Sequence, residues 1–222
     1  MTELSFKFET GIEKTVLSDR RDLLRCLQQS YIYIRIPRTG STSISNMVRS
    51  DNAWPHFYAR LLRDLIGKNE YEKRVSFASV RNPWDRLVSW YAFNCHDYRA
   101  DRQQSEEYRN LGFKGWIMKG CPHRGWSPHH HAHQPSDTIP QMGWIVDENG
   151  EVIVDHIVRL ENLQQDFEKI RVKLNLPSVT VPNLNVSSTR QFRDYRKYYD
   201  AESAEKVKEL YAHDIEYFGY EF

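Results

Sequence analysis

Two short apolar segments, rich in β-branched and aromatic residues, stand out in the chain, and a helical pattern follows each of them. The first is YIYIRI at 31–36, and the second is VSFASV at 75–80. This composition is typical of buried strands. After each segment, a turn with Gly40 or Pro83 leads into apolar residues at helical spacing. Each of the two segments therefore predicts a β-strand that runs through a tight turn into an α-helix.

Other helices and strands are predicted along the rest of the chain. Apolar stripes at helical spacing predict helices at 18–29, at 54–65, around Leu163 and after Asp200. The sequence WIVDENGEVIVDHIVRL at 144–160 predicts two strands around the turn DENG, whereas the residues from about 96 to 140 have no clear period. Helices that alternate with short buried strands predict an α/β sandwich with a mostly parallel sheet.

Composition limits the class of protein and its partners. The chain has 222 residues and no linker-like segment, so we expect a single domain at 1–222. A net charge of +1 gives no basic field for nucleic acid. No apolar run approaches the roughly 20 residues of a membrane span, and no signal-peptide pattern is present. The three cysteines form no CxxC pair and cannot all be bridged internally, which predicts a reduced, cytoplasmic protein. No membrane partner is expected.

The first turn, RIPRTGSTS at 35–43, has the parts of a phosphate cradle. Backbone N–H groups and the start of a helix can hold an anion there, although a well-capped ordinary turn shares these features. The groups that can contact the anion are Arg35, Arg38, Thr39, Gly40, Ser41, Thr42 and Ser43. It is not a Walker A loop, because the first glycine is missing and Ser41 occupies the lysine position. ATP hydrolysis therefore fits poorly.

The second turn places Arg81 at a strand end and Ser89 eight residues later. Eight residues are about two helical turns, so Ser89 can lie on the same side of the helix as its first residues, next to Arg81. The arginine fork suits a phosphate group. The competing interpretation is that Arg81 pairs with Asp85 on the surface and that Ser89 only packs.

Together and in this order, the two turns resemble the nucleotide-binding signature of sulfotransferases that use 3′-phosphoadenosine 5′-phosphosulfate (PAPS). IPRTGSTS is similar to the 5′-phosphosulfate loop, and VRNPWDRLVSWY is similar to the 3′-phosphate motif. VDHIVRLENLQQDF at 154–167 and the ending DIEYFGYEF resemble the carbohydrate branch, which includes heparan 2-O- and chondroitin-type enzymes. The resemblance covers most of 31–222 and is weak over 96–140. It implies a P-loop-like three-layer sandwich.

The resemblance also implies binding roles for named residues. The N–H groups of residues 39–43 and the hydroxyls of Ser41, Thr42 and Ser43 would hold the 5′-phosphosulfate, and no metal is required. Arg81 and Ser89 would bind the 3′-phosphate, and Arg35 would add a phosphate contact. The basic stretch at 185–199 resembles a loop that closes over the nucleotide, and Ser188 and Arg190 are its candidate ligands. The product is 3′-phosphoadenosine 5′-phosphate (PAP).

Catalytic roles follow from the same resemblance. Sulfuryl transfer needs a base for the acceptor proton and a cation at the leaving phosphate oxygen. The base is expected to be His56, which is predicted to open the helix before the second strand, and His133 is its rival. Arg38 occupies the position of the family's lysine. It can stabilise the leaving oxygen, but arginine cannot donate a proton at usable pH.

The segment 96–140 is interpreted as an acceptor-binding insertion. Its histidines between His123 and His133 suit an acceptor lid or a plain polar loop better than a metal site, because no ligand spacing is recognisable. The expected function is transfer of a sulfuryl group to a hydroxyl, with a glycan or small molecule as acceptor. The alternatives are a nucleotide-kinase-like P-loop protein and an inactive nucleotide-binding module.

Overall fold

The computed structural model describes residues 28–48, 56–96, 102–122, 140–178 and 190–222. Within these residues there are three β-strands and eight α-helices. The strands are β1 (Tyr31–Ile34), β2 (Val75–Val80) and β3 (His156–Arg159). The helices are α1 (Ser41–Met47), α2 (Ala59–Ile66), α3 (Lys68–Glu72), α4 (Pro83–His96), α5 (Arg102–Met118), α6 (Leu163–Lys173), α7 (Ala201–Leu210) and α8 (Ala212–Phe218). The helix predicted at 18–29 lies almost entirely outside the described residues.

The three strands form one parallel sheet in the order β1–β2–β3. Tyr31 pairs with Val75 at the start of β1, and Val80 pairs with Arg159 at the end of β3. The predicted α/β fold with a parallel sheet is therefore confirmed. Because parallel strands point the same way, β1 and β2 both end at one edge of the sheet, where chemistry is commonly placed in α/β folds.

The chain divides into two compact units, and the first contains the sheet. This unit comprises residues 1–80 and 143–181. Its centre is β2, whose Phe77 stacks on Tyr33 of β1 with ring centroids 4.8 Å apart. Helix α6 packs against β3 through the buried side chains of Leu163, Phe167 and Ile170. The sheet is thus held by apolar contacts on the periodic positions that predicted these elements.

The second unit is helical and comprises residues 81–142 and 182–222. Helix α4 packs against α5 and α7, and Trp84, Leu87 and Val88 of α4 are buried as its apolar stripe predicts. Asp200 caps α7 in a reciprocal pair with Ser203, which confirms the predicted start of this helix. The single-domain organisation remains a prediction.

Helix α5 lies in the segment 96–140, where the sequence has no clear period and no helix was predicted. It runs from Arg102 to Met118, but Gly112 in its middle has φ 66° and ψ 166° and kinks it. The first half buries few side chains, so the sequence shows no helical stripe there. The stability of the helix comes instead from Tyr108 and Trp116, which are buried among the aromatic side chains of this unit.

Two further boundaries differ from the predictions. The helix predicted at 54–65 begins at Ala59, because the backbone of Tyr58 is extended and the side chains of His56 and Tyr58 make the contacts described below. The hairpin predicted at 144–160 is reduced to one antiparallel bridge between Val146 and Val152, and its second half contains β3, which pairs with β2 instead. The pairing of β3 with β2 therefore outweighs the tendency of the turn DENG to form a local hairpin. Across the described residues, no helix combines the length and the apolar character needed to cross a membrane.

Replacing Phe77 with alanine should destabilise the protein by about 3–5 kcal/mol, because the ring is fully buried at the centre of the sheet. The matched control is Val172→Ala on α6, where the side chain is 63% exposed and the expected change is within about 0.5 kcal/mol. Urea denaturation followed by circular dichroism measures both. Equal effects of the two changes would contradict the assignment of Phe77 to the core.

Candidate functional site

The turn after β1 has the backbone geometry of an anion cradle. Arg38 has φ 65° and Gly40 has φ 84°, and Thr39 between them has a negative φ. Alternating signs of φ turn successive N–H groups towards one side of the chain, which creates a concavity that attracts anions. A non-glycine residue in this region is strained, so the conformation of Arg38 must be held by surrounding contacts.

Gly40 cannot be replaced at this turn without strain. Its φ of 84° disfavours other residues, and a Cβ atom there would overlap Cδ1 of Leu160. Gly40 also directly precedes helix α1 and accepts the hydrogen bond of the Ile44 N–H at 3.2 Å. The glycine therefore joins the cradle to the helix and lets the segment after β3 pack closely against it.

A chain of buried hydroxyl groups fixes this turn to the sheet. Thr39 Oγ1 donates to the Ile36 carbonyl oxygen at 2.8 Å, lies 2.7 Å from Ser79 Oγ of β2, and Ser79 Oγ lies 2.8 Å from the Tyr33 hydroxyl of β1. A carbonyl can only accept, so the one proton of Thr39 goes to Ile36. Ser79 must then donate to Thr39, and Tyr33 must donate to Ser79.

The direction of this hydroxyl chain is therefore determined at every link. Burial raises the pKa of Tyr33 to about 12, so its hydroxyl keeps the proton that the chain requires at neutral pH. Tyr33, Thr39 and Ser79 are all at most 1% exposed. Each hydrogen bond is thus shielded from water, and loss of any member leaves a buried polar group without its partner.

The hydroxyl chain separates the side chains of the cradle into two groups. The hydroxyl of Thr39 is committed to the protein, so this residue can offer an anion only its backbone N–H. Ser43 is buried, Ser41 is half-buried and Thr42 is exposed. Among these hydroxyls, those of Ser41 and Thr42 are the more accessible to a ligand.

A contact with the chain just after β1 fixes the orientation of the His56 ring. Its Nδ1 lies 2.5 Å from the carbonyl oxygen of Arg35, the residue after β1. Because the carbonyl accepts, Nδ1 carries the proton, and the lone pair of the neutral ring is on Nε2. The ring also meets Trp144 edge-on at 6.4 Å, and Tyr58 packs on the same indole at 4.5 Å. These contacts explain why α2 begins only at Ala59.

In the second unit, two guanidinium groups converge on one carboxylate. Arg81 Nε donates to Asp85 Oδ2 at 2.7 Å, and Arg190 donates from Nη1 to Asp85 Oδ1 at 2.7 Å and from Nη2 to the Asp85 carbonyl at 2.7 Å. The Arg190 side chain is 3% exposed. The contact between Arg81 and Asp85 belongs to the competing interpretation of this turn, and it is present, although the two side chains are only 13% and 20% exposed. The Asp85 carboxylate thus lies between the two guanidinium groups.

The remaining predicted site residues are buried, half-buried or outside the described part of the chain. Ser89 is buried on α4, one turn beyond Asp85. Arg35 and Arg38 are half-buried at the turn after β1. His133 and Ser188 lie outside the described residues, as does most of the histidine-rich loop. Among the residues described, no group of three His, Cys, Asp or Glu side chains is arranged to hold a metal ion.

Comparison with known proteins adds the decisive observation. The sequence model of the sulfotransferase family matches residues 21–221, which is nearly the whole chain. The chain belongs to the sulfotransferase family. The match spans the cradle after β1, the Arg81–Asp85–Arg190 cluster and the C-terminal helices of this sulfotransferase. The resemblance seen in the two turns is thereby confirmed at the level of the family.

The chain is also similar to a protein whose function is not known. An uncharacterized protein from Archaeoglobus fulgidus is 27% identical over 135 residues, which cover 61% of this chain and 96% of the relative. No solved structure matches the chain. Members of the family generally take the sulfuryl group from PAPS and pass it to a hydroxyl-bearing acceptor.

Sequence reasoning missed Tyr33 and Ser79, which anchor the cradle. Both lie in strands whose apolar composition led to their interpretation as plain core. The available signal was a hydroxyl near the end of each fully buried strand, next to the turns that carry the motifs. A buried hydroxyl needs a hydrogen-bond partner, so two of them at neighbouring strand ends predict a contact.

Thr39→Val should weaken nucleotide binding and destabilise the protein, because valine has the shape of threonine but cannot join the hydroxyl chain. The expected loss of stability is about 1–3 kcal/mol, the cost of an unsatisfied buried group. Thr39→Ser keeps the hydroxyl and is the matched control. Urea denaturation and calorimetric titration with PAP measure the two effects. The anchoring role would be refuted if the valine and serine variants behaved alike.

Proposed function

We propose that this sulfotransferase moves a sulfuryl group from PAPS to a hydroxyl of a carbohydrate acceptor. Family membership supports sulfuryl transfer, and the convergence of Arg81 and Arg190 on Asp85 is the observation that carries the choice of donor. Two planar guanidinium groups that already share one bidentate anion match the oxygen geometry of a phosphate. A 3′-phosphate distinguishes PAPS from ATP-type nucleotides.

The two ends of the nucleotide have separate ligands in this proposal. The N–H groups of residues 39–43 and the hydroxyls of Ser41 and Thr42 bind the 5′-phosphosulfate, and Arg35 and Arg38 add positive charge. Arg81 and Arg190 bind the 3′-phosphate, with Ser89 and Ser188 as further ligands from the family resemblance. The strained φ of Arg38 supports the first part, since strain of this kind persists where a backbone must face a ligand.

His56 is the proposed base. Its Nδ1–H is fixed on the Arg35 carbonyl, so the neutral ring carries its lone pair on Nε2, the state that accepts a proton. His56 removes the proton of the acceptor hydroxyl as that oxygen bonds to sulfur. The bond between sulfur and the leaving phosphate oxygen breaks, and Arg38 stabilises the negative charge on PAP without giving up a proton. His133 remains the alternative base from the family resemblance.

The carbohydrate acceptor and the cellular location are supported by separate observations. The likeness of residues 154–167 and of the C-terminal nine residues to the carbohydrate branch supports a glycan acceptor, with 96–140 as the acceptor-binding insertion. Cys95 and Cys121 are buried and form no disulfide in the part of the chain that the structure describes, as is usual for proteins of the reducing cytoplasm.

The proposal is tested by incubating the purified protein with PAPS labelled on sulfur and a panel of acceptors. The panel contains heparan-type and chondroitin-type glycans and simple alcohols. We expect label on a glycan and little on the alcohols. Label on alcohols alone would contradict the carbohydrate acceptor, and PAP binding without transfer to any acceptor would indicate an inactive binding module.

His56→Asn should abolish transfer while nucleotide binding is kept. The asparagine amide can still donate to the Arg35 carbonyl, as Nδ1 does, but it cannot take a proton. We expect the rate of labelled sulfate transfer to fall by about 10²–10⁴-fold, the usual contribution of a general base. The dissociation constant of PAP should stay within about twofold of the wild-type value, since His56 is not one of the proposed nucleotide ligands. Retained transfer would exclude His56 as the base.

Arg38→Lys should leave the transfer rate within about tenfold of the wild type or raise it, because lysine also places a cation at the leaving oxygen. Arg38→Ala removes the cation, and the expected loss is about 10²–10³-fold. Single-turnover transfer of labelled sulfate measures both variants. A loss in the lysine variant as deep as that in the alanine variant would mean that Arg38 serves another purpose.

A further inference from the structure

We infer that Gln141 is a positioning residue for Arg81 and that Asp214 holds Gln141 in place. The Arg81 N–H donates to Gln141 Oε1 at 2.8 Å, and Gln141 Nε2 donates to the Arg81 carbonyl oxygen at 2.8 Å. One side-chain amide therefore binds both backbone polar groups of Arg81. The inference rests on the proposed function, because it takes Arg81 as a ligand of the 3′-phosphate.

The position of Arg81 in the chain explains why its backbone needs these two hydrogen bonds. Arg81 follows Val80, the last residue of β2, and precedes helix α4 at Pro83. It therefore lies where the sheet ladder has ended and the helical bonding has not begun. Its N–H and carbonyl still need partners, and the planar amide of Gln141 supplies an acceptor and a donor together. Two hydrogen bonds on either side of one Cα fix the direction in which its side chain leaves the backbone.

Asp214 of α8 fixes the amide itself. Its carboxylate accepts the Gln141 N–H at 2.7 Å, the Met142 N–H at 2.8 Å and a proton of Gln141 Nε2 at 3.2 Å. Gln141 and Asp214 are both fully buried. A flipped amide would set its NH₂ group against the Arg81 N–H and its oxygen against Asp214, so only one orientation satisfies all partners. Burial raises the pKa of Asp214, and these hydrogen bonds and the buried Arg86 oppose the rise.

The two hydrogen bonds from Gln141 affect phosphate binding because they set the position of the Arg81 guanidinium group. The Arg81 guanidinium contacts Asp85 through Nε at 2.7 Å and Nη2 at 2.5 Å, and Arg190 holds the opposite oxygen of the same carboxylate. Binding of a phosphate by two forks depends on their mutual position, and small displacements are costly. With its backbone released, Arg81 could still pair with Asp85 but would no longer be held where it matches Arg190. Gln141 therefore controls selectivity for the 3′-phosphate without touching the ligand.

The test replaces Gln141 with methionine, which has a similar length and no hydrogen-bonding amide. Calorimetry measures the affinities for PAP and for 5′-AMP, which lacks the 3′-phosphate. The wild type should prefer PAP. Gln141→Met should lose about tenfold or more of its PAP affinity, while its affinity for 5′-AMP changes by less than about twofold. A purely structural role would weaken both ligands alike, and that result would overturn the inference.

Matched variants sharpen this test. Gln165→Met, at an exposed position on α6, should change neither affinity. In an Arg81→Ala background, Gln141→Met should have no further effect on the preference for PAP, because the two residues act through one group. Additive effects in the double variant, or an unchanged PAP affinity in Gln141→Met, would refute the positioning role.

A folding defect does not remove the test. If Gln141→Met does not fold, Asp214→Asn decides the question by the same two affinities, since it weakens the hold on Gln141 and keeps the shape of the side chain. A wild-type protein with no preference for PAP over 5′-AMP would overturn the proposed function itself. That outcome is distinct from a wild-type preference that survives in the variants, which would overturn only the role of Gln141.

Discussion

The hydroxyl chain from Tyr33 through Ser79 and Thr39 to the Ile36 carbonyl is the constraint on which the rest of the first unit depends. It joins both strands to the turn between β1 and α1, and every one of its protons has a fixed direction. The cradle needs this support, because Arg38 has a positive φ that a non-glycine residue adopts only at a cost. Hydrogen bonds shielded from water can hold such strain, whereas surface contacts would not. The backbone of the proposed anion cradle is thus held in shape by the protein's own hydrogen bonds.

Charge is distributed differently in the two units. The cradle relies on backbone N–H groups, with Arg35 and Arg38 beside it. The hydroxyl of Thr39 is already hydrogen-bonded within the protein. The second unit relies on side chains, since Arg81 and Arg190 meet at Asp85. Asp85 lies between the guanidinium groups of Arg81 and Arg190, which offsets the cost of placing like charges close together away from water. We propose that a 3′-phosphate binds at these two guanidinium groups, and that the fixed backbone of Arg81 holds its side chain in place for the phosphate.

The parts of this fold that follow a simple period were predictable from the sequence. The strands around Tyr33 and Phe77, the helix after Pro83 and the cap at Asp200 all appear where pattern and local chemistry put them. Helix α5 escaped prediction because its first half is polar and Gly112 interrupts it. The start of α2 was misplaced because the contact from His56 to the Arg35 carbonyl joins residues that are distant in sequence.

The candidate site was predictable as motifs but not as an arrangement. The two turns led to the family, which the match over residues 21–221 confirms. The residues that support the motifs are Tyr33, Ser79, Gln141 and Asp214, and they carry no motif of their own. Their contacts depend on which buried polar groups meet after folding, and a single sequence does not contain that information in a local pattern.

Calorimetric titration of the wild-type protein with PAP and with ATP, each with and without magnesium, tests the central claim most directly. We predict tight binding of PAP that does not depend on magnesium, because guanidinium groups and backbone N–H groups neutralise the phosphates. We predict little binding of ATP under either condition. Magnesium-dependent binding of ATP that is tighter than the binding of PAP would show that the chain does not use PAPS.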